Sequence, residues 1–395
     1  MKVASIIAEF NPFHNGHKVP IDAARALVGE HGAVLCVMSG NAVQRGDLAV
    51  VSKFCRAEMA LRAGADLVIE LPAVYALGSA EHFALGAVSL IESLGVEDNT
   101  LVFGSETAET VALEEVARAL DQPQTQSAIA DAMAAGVSYP VACQMVLDHS
   151  CTHAEVLRQP NNLLGIAYLR AIAQSGAGLR VHSVLRHGVA HDAAQAVGQY
   201  AAASYLRGAI YKEALEADYI PVEARGLLKE ELKLGWASLE KIEAVVLTLL
   251  RHAKEPMGGY LGDSEGLSQR IMVAAKEVAS LQALYERVKT KRYPMARIRR
   301  LVFAMCLGLC AADRVGAPPY IRVLAANERG RSLLRATRKT RRAEVISRAA
   351  AVWKLDARAI RMFEIECMVT DLQKLCLDAP AHRCGGSEWR KNPKI

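Results

Sequence analysis

Several absences narrow the possibilities before any motif is read. No run of about 18 uninterrupted apolar residues occurs, so no membrane span is expected. The first residues, MKVASIIAEFNP, carry one lysine and a short apolar run, without the longer stretch and A-x-A site of an export signal. The nine cysteines form no C-x-x-C pair and no zinc spacing with histidine, so neither a disulfide framework nor a metal site is expected. Cys306 and Cys310 fall in an apolar helical pattern and read as core thiols. These absences point to a reducing, cytoplasmic setting. Acidic residues are scarce in one place: from Arg287 to Arg342, 16 lysines and arginines face only Asp313 and Glu328. The whole chain is +5, so the remainder is acidic at −9, and a polyanionic partner is the physical expectation for the block.

What is present is enough for a large core. The chain has 395 residues, 52% of them hydrophobic, and that length predicts two or three domains. The first part alternates short apolar runs (VASIIA, AVLCVMSG, ADLVIELP, TLVFGSE) with amphipathic stretches, two of them stopped by Gly64 and Gly95. Strands apolar throughout, alternating with helices, predict a Rossmann-like parallel sheet covered on both faces. Residues 107–180 read as mostly helical, RVHSVLRHG as a strand returning to the sheet, and AASYLRGAI as another helix. Beyond about residue 215 the pattern is almost wholly helical. The expected fold is therefore α/β: a parallel-sheet domain over 1–215, then an all-α domain over 216–395 that holds the basic block.

Ligands of such sheets bind beyond the C-terminal strand edges, and there the first strand runs into EFNPFHNGH. A helix start presents free N–H groups and the positive end of its dipole, which attract anions. His14 and His17, three apart, share one face of the first turn, and Gly16 lets a ligand approach the backbone. Two neutral imidazoles beside oriented amides suit a phosphate whose charge grows in the transition state. Neither metal ligation nor core packing accounts for this pair, because no further ligands lie nearby and the flanking sequence is polar.

H-x-G-H after a first strand is the signature of the HIGH-type nucleotidyltransferase superfamily. Together with MSGNAVQRGD, SKFCRAEMALRAGADLVIELPAVYALGSAEHFALGAVSLIESLG, VFGSE and PNNLLGIAYLRAI, the sequence resembles the bacterial tRNA(Met) cytidine acetate ligases. The likeness runs over most of residues 1–210 and continues more weakly through EGLSQRI and KTKRYPMARIRRLVF. The resemblance implies a two-step reaction. Acetate attacks the α-phosphate of ATP, accompanied by Mg2+, to give acetyl-adenylate and pyrophosphate. The wobble cytidine of elongator tRNA(Met) then takes the acetyl group, forming N4-acetylcytidine and AMP.

The resemblance also implies roles for single residues. The ATP-binding loop maps onto Ile7, Ala8, Glu9, Phe10, Asn11, Pro12, Phe13, His14, Asn15, Gly16, His17, Lys18, Val19 and Pro20, with His14 and His17 catalytic. Gly104, Asn162 (beside Asn161) and Arg186 map onto further ATP contacts. An arginine at a strand end can also grip phosphate through two hydrogen bonds. Lys53 and Arg56, with Glu58 as support, are candidates for phosphate or tRNA contacts. So are Ser204 and Arg207, although Ala202 and Ala203 stand where the superfamily's late segment carries a hydroxyl. No cysteine nucleophile is needed, since acetyl-adenylate is already activated.

Within the basic block, Lys291, Arg292, Arg297, Arg299 and Arg300 are the expected tRNA contacts, with Tyr293 or Tyr320 available to stack a base. Two other functions compete. An adenylyltransferase acting on a small cofactor precursor explains H-x-G-H but leaves the basic block idle. An RNA-binding protein with a non-catalytic nucleotide site conflicts with the intact His14, Gly16 and His17.

Overall fold

The computed structural model describes residues 1–107, 109–186, 196–391 and 393. Seven strands form one sheet in the order β7-β6-β1-β2-β5-β8-β9, and a small hairpin pairs β3 with β4. The strands are β1 (Val3–Ala8), β2 (Ala33–Ser39), β3 (Ala42–Val43), β4 (Asp47–Leu48), β5 (Leu67–Leu71), β6 (Asn99–Ser105), β7 (Arg180–Leu185), β8 (Tyr320–Ala326) and β9 (Glu344–Ile346). The pairings from β7 through β5 are parallel, as the alternating pattern requires. The expected strand at 180–188 is present over Arg180–Leu185; His187 and Gly188 lie outside the described residues.

β1 and β2 are apolar because both sheet faces are covered. Alternate residues of β1 enter two different cores, Val3 and Ile7 one, Ala4 and Ile6 the other. The polar exception, Ser5, is fully buried and its hydroxyl donates to Asn99 Oδ1 of β6 at 2.9 Å, so its burial leaves no orphaned group. The helices that matter to the site are α1 (Asn15–Val28), α2 (Lys53–Arg62), α3 (Ala80–Ser93), α4 (Pro160–Ser175), α5 (Ala203–Tyr211), α6 (Met295–Cys306), α7 (Glu328–Ala336) and α8 (Ala357–Leu375).

The expectation of an all-α second part is corrected by β8 and β9, which continue the sheet of the first part. β8 runs antiparallel to β5, and β9 parallel to β8. A seven-residue buried run such as YIRVLAA cannot be told from a buried helical turn by periodicity, and Arg322 in its middle breaks the apolar pattern. That arginine is 1% exposed, faces Glu388 at 3.5 Å and lies over the Phe363 ring. Tyr320, proposed above to stack a base, is 1% exposed inside this strand and unavailable for that role.

The antiparallel turn of β8 also divides the basic block. Its C-terminal end meets the start of β5, where Asn327 N–H donates to Asp66 O at 3.0 Å. Helix α7, with Arg329, Arg331 and Arg335, therefore begins at the edge opposite the C-terminal ends of the parallel strands. Helix α6, with Arg297, Arg299 and Arg300, lies at the ligand edge. One run of charge in sequence becomes two separate surfaces.

Candidate active site

A cleft of about 620 Å³ opens over the C-terminal ends of β1, β6 and β7, within the size range of small-molecule sites. At its centre are the two histidines. Phe10, with φ 51°, turns the chain out of β1; its ring is buried edge-on to Phe13 and His17, with centroids 4.9 and 5.0 Å away. Asn11 fastens the turn: its side-chain oxygen accepts from Val50 N–H at 2.8 Å, its carbonyl from the Arg207 guanidinium at 2.7 Å.

His14 is the N-cap of α1. Its Nδ1 accepts from Gly16 N–H at 3.0 Å, while His17 Nδ1 accepts from His14 N–H at 3.3 Å. This is a capping box built from imidazoles instead of Ser and Glu. It fixes the chemistry. A ring nitrogen that accepts from an amide carries no proton, so in each neutral ring the proton is on Nε2. Burial, followed by the nearby cations Arg186 and Arg207, lowers the His14 pKa to about 3; burial, His14 and Arg186 lower that of His17. The rings lie 3.8 Å apart and remain neutral together. The pair thus offers two Nε2–H donors without a charge of its own.

Around them the lining is basic. Arg45, Arg186, Arg207, Arg299 and Arg300 reach the cleft, against one carboxyl, Glu9. Glu9 accepts from Gln44 N–H of the β3–β4 hairpin at 2.6 Å, and burial raises its pKa, partly offset by that bond. The cleft is built for an anion. Among the described residues no group of three or more His, Cys, Asp or Glu is placed to hold a metal ion.

The sequence-derived candidates divide clearly. Ile7, Ala8, Glu9, Phe10, Asn11, His14, Gly16, His17, Val19, Pro20, Gly104, Arg186 and Arg207 line the cleft. Others of the loop face elsewhere, which narrows the expectation for the whole segment. Phe13 is fully buried, Asn15 donates to Gln199 O and Asp218 O, and Lys18 pairs with Asp22; Pro12 lies at the cis Asn11–Pro12 peptide and is not among the lining residues. At Gly104 a side chain would first meet Arg186, whose Cγ stands 3.1 Å from where a Cβ would be.

Asn162 is committed to structure: its Oδ1 accepts from Glu106 N–H at 2.9 Å, while the Glu106 carboxylate accepts from Asn161 and Asn162 N–H. A carboxylate is thereby held at the positive end of α4. Asn161 lines the cleft instead, and Asn162 does not. Ser204 Oγ is buried with no hydrogen-bond partner among the described residues, one residue past the lining Ala203.

Lys53 and Arg56 require a correction. Both side chains are fully buried. Lys53 Nζ lies 2.6 Å from Glu70 and 3.0 Å from Glu388, whereas Arg56 donates to the carbonyls of Glu9, Ser39 and Gly40. Neither lines the cleft; Arg56 holds the two strand ends on which the site is built. Glu58 pairs with Arg62. In the basic block, Lys291 and Arg292 are exposed, and Arg297 lies over Tyr293 at 5.3 Å. Arg299 and Arg300, expected on the RNA surface, instead line the cleft.

Sequence reasoning assigned no role to Gln44, Arg45, Phe83, Phe103, Tyr168 or Met295, which also line it. The MSGNAVQRGD segment carried the signal for the first two. The aromatic residues read only as core. Cys36 and Cys55 are buried and burial pushes both thiols up, which suits no nucleophile.

The HIGH Nucleotidyl Transferase family matches residues 1–387. The tRNA(Met) cytidine acetate ligase of Acetivibrio thermocellus is 33% identical over 99% of both chains, and that of Thermoanaerobacter sp. 34% identical over 95% of both. The crystal structure of apo Thermotoga maritima TmcAL superposes with a TM-score of 0.91 at 31% identity, over 100% of this chain and 99% of that one. A second Thermotoga maritima structure, bound with alpha-thio ATP, superposes at 0.89 with the same identity and coverage. On the site and on similarity over nearly its full length, the chain belongs to the tRNA(Met) cytidine acetate ligase family of HIGH-type nucleotidyltransferases.

Proposed function

We propose that this protein is an ATP-dependent ligase that activates acetate as acetyl-adenylate and acetylates the wobble cytidine of elongator tRNA(Met) in the cytoplasm. The observation that carries this reading is the imidazole capping box: two neutral, amide-anchored rings, each left with an Nε2–H donor, in the lining of a basic cleft. Phosphate oxygens gain charge as an oxygen nucleophile adds to the α-phosphorus. Fixed donors stabilise that charge without reorganising, and loss of one such donor costs about 10²–10³-fold in rate. Arg186 and Arg207 would hold the phosphates. Residues 216–395 would dock the RNA through Lys291, Arg292 and Arg297, positioning its backbone without reading bases.

The test uses ATP and labelled acetate, with or without elongator tRNA(Met) transcript. Acetyl-adenylate is expected without RNA, and acetylated RNA with it. Adenylate formation that never passes to RNA would point to a small-molecule adenylyltransferase, and neither product would end the ligase reading.

A further inference from the structure

The five arginines of the cleft are not equivalent. Arg207 is engaged by the Asn11 carbonyl, Arg299 stands 3.8 Å from Glu240, and Arg45 also has a partner. The side chains of Arg186 and Arg300 have neither a hydrogen bond nor an ion pair among the described residues; Arg186 feels only the charge of Glu106 at a distance. These two lie on opposite flanks of the histidines. Arg186 follows β7, beside Gly104 of β6, on the flank where the resemblance puts the nucleotide. Arg300 comes from α6, which packs on the β3–β4 hairpin.

That packing is close and specific. Gly46 at the hairpin turn has φ 75°, and a Cβ there would lie 2.4 Å from both Arg299 C and Arg300 N. Only glycine lets the turn meet the helix backbone. The hairpin is tied in turn to β1 through Gln44 N–H and Glu9. Arg300 is thus set at a fixed place relative to the histidines. An unpaired, half-buried guanidinium calls for an anion, and no residue of α6 is among the expected ATP contacts.

We propose that Arg300 binds the carboxylate of the acid that is to be activated, with Met295 and Phe83 closing around its short alkyl group. The assignment rests on the ligase reading above. Burial and neighbouring Arg297 lower the Arg300 pKa, which a bound carboxylate would relieve. In the step served, a carboxylate oxygen forms a bond to the α-phosphorus while the bond to the bridging oxygen breaks. Pyrophosphate leaves with that electron pair. In the second step the cytidine N4 bonds to the acetyl carbon, AMP leaves with the C–O pair, and the proton of N4 goes to solvent. A bidentate guanidinium grip holds the carboxylate plane fixed for the first attack.

The experiment is acetate-dependent ATP–pyrophosphate exchange without RNA, with Arg300→Gln and Arg300→Lys beside the wild type, varying acetate and ATP separately. Arg300→Gln should raise the KM for acetate about 10- to 100-fold, as loss of a charge-assisted pair does. Arg300→Lys should recover part of it, and the KM for ATP should stay within about twofold. An unchanged acetate KM overturns the assignment. So does an equal rise in the ATP KM, which would make Arg300 a nucleotide contact. Weaker tRNA binding with normal exchange overturns it too, returning Arg300 to the RNA surface. Wild-type protein without acetate-dependent exchange would instead sink the ligase reading itself.

Discussion

Replacing Lys53 by methionine separates a buried structural cation from a ligand contact. Its ammonium lies 2.6 Å from Glu70 and 3.0 Å from Glu388, and all three side chains are at most 2% exposed. Burial alone would lower the Lys53 pKa, but Glu388, Glu70 and Glu366 outweigh it and hold it raised. Glu366 is raised as well, by burial and then Glu70, with Lys53 opposing the shift. Lys53→Met leaves the Glu70 and Glu388 carboxylates without their common cation, although Arg322 still faces Glu388 at 3.5 Å. Breaking a buried pair from one side costs about 3–5 kcal/mol. In a chain of this size that lowers the melting temperature by roughly 4–6 °C. Adding Glu70→Gln removes the carboxylate left without a cation and should return about 1–3 kcal/mol, a non-additivity that a contact-free site would not show. The assay is thermal melting of both variants beside the wild type, with pyrophosphate exchange measured well below each midpoint. Exchange should persist in the folded fraction. A melting temperature within about 2 °C of wild type, combined with lost nucleotide or tRNA binding, would refute the structural assignment and restore Lys53 as a ligand contact.

Other outcomes follow from the same geometry. His17→Ala removes one Nε2–H donor and should slow adenylate formation about 10²–10³-fold while tRNA affinity is kept; a loss below tenfold would deny the histidine its role. Because folded His14 stays neutral down to about 3 while the unfolded chain takes a proton near 6.5, the unfolded state binds more protons in between, and stability is lost as pH falls. From about pH 7 to pH 5 this amounts to about 2 kcal/mol. His14→Asn keeps an N-cap acceptor and should flatten that part of the stability profile in urea titrations; unaltered pH dependence would contradict it. Gly46→Ala should strain the hairpin and push α6 back, raising the acetate KM more than the ATP KM; equal effects would show that the contact does not set the acid-binding flank. Replacing Lys291, Arg292 and Arg297 by alanine should reduce the log–log salt slope of tRNA binding by up to about 2 with exchange unaltered; an unchanged slope would move the docking surface elsewhere.

Most of the parallel sheet was legible because its strands had no alternative. Runs such as VASIIA and AVLCVMS can be satisfied only between two covered faces, and their spacing by amphipathic helices implies the crossovers. The histidine pair was legible for a local reason: a strand end, a turn, a helix start and the i, i+3 spacing all lie within seventeen residues of sequence. What escaped depended on contacts distant in sequence. Lys53 reads as half of a basic helix face until Glu388, more than 300 residues later, is brought beside it. Asn162 reads as a ligand contact until Glu106 claims it. β8 reads as helix until β5 provides its ladder.

The arginines carry the point furthest, because composition measures charge and not where charge is directed. Sixteen basic residues over 56 positions fairly imply a polyanion. The fold distributes them over different tasks: Arg322 neutralises a buried glutamate, α7 starts at the far edge of the sheet, and α6 alone meets the cleft. Along α6 the work divides again by position. Arg297 lies over Tyr293 near the exposed Arg292, while Arg300, three residues on, lines the cleft where the acid must be held. If α6 docks RNA as proposed, a helix that also supplies a wall of the cleft would set the cytidine close to the acetyl group it receives. An acyl-adenylate that would hydrolyse in open water would then need to travel no distance, because the proposed acceptor surface shares α6 with the cleft.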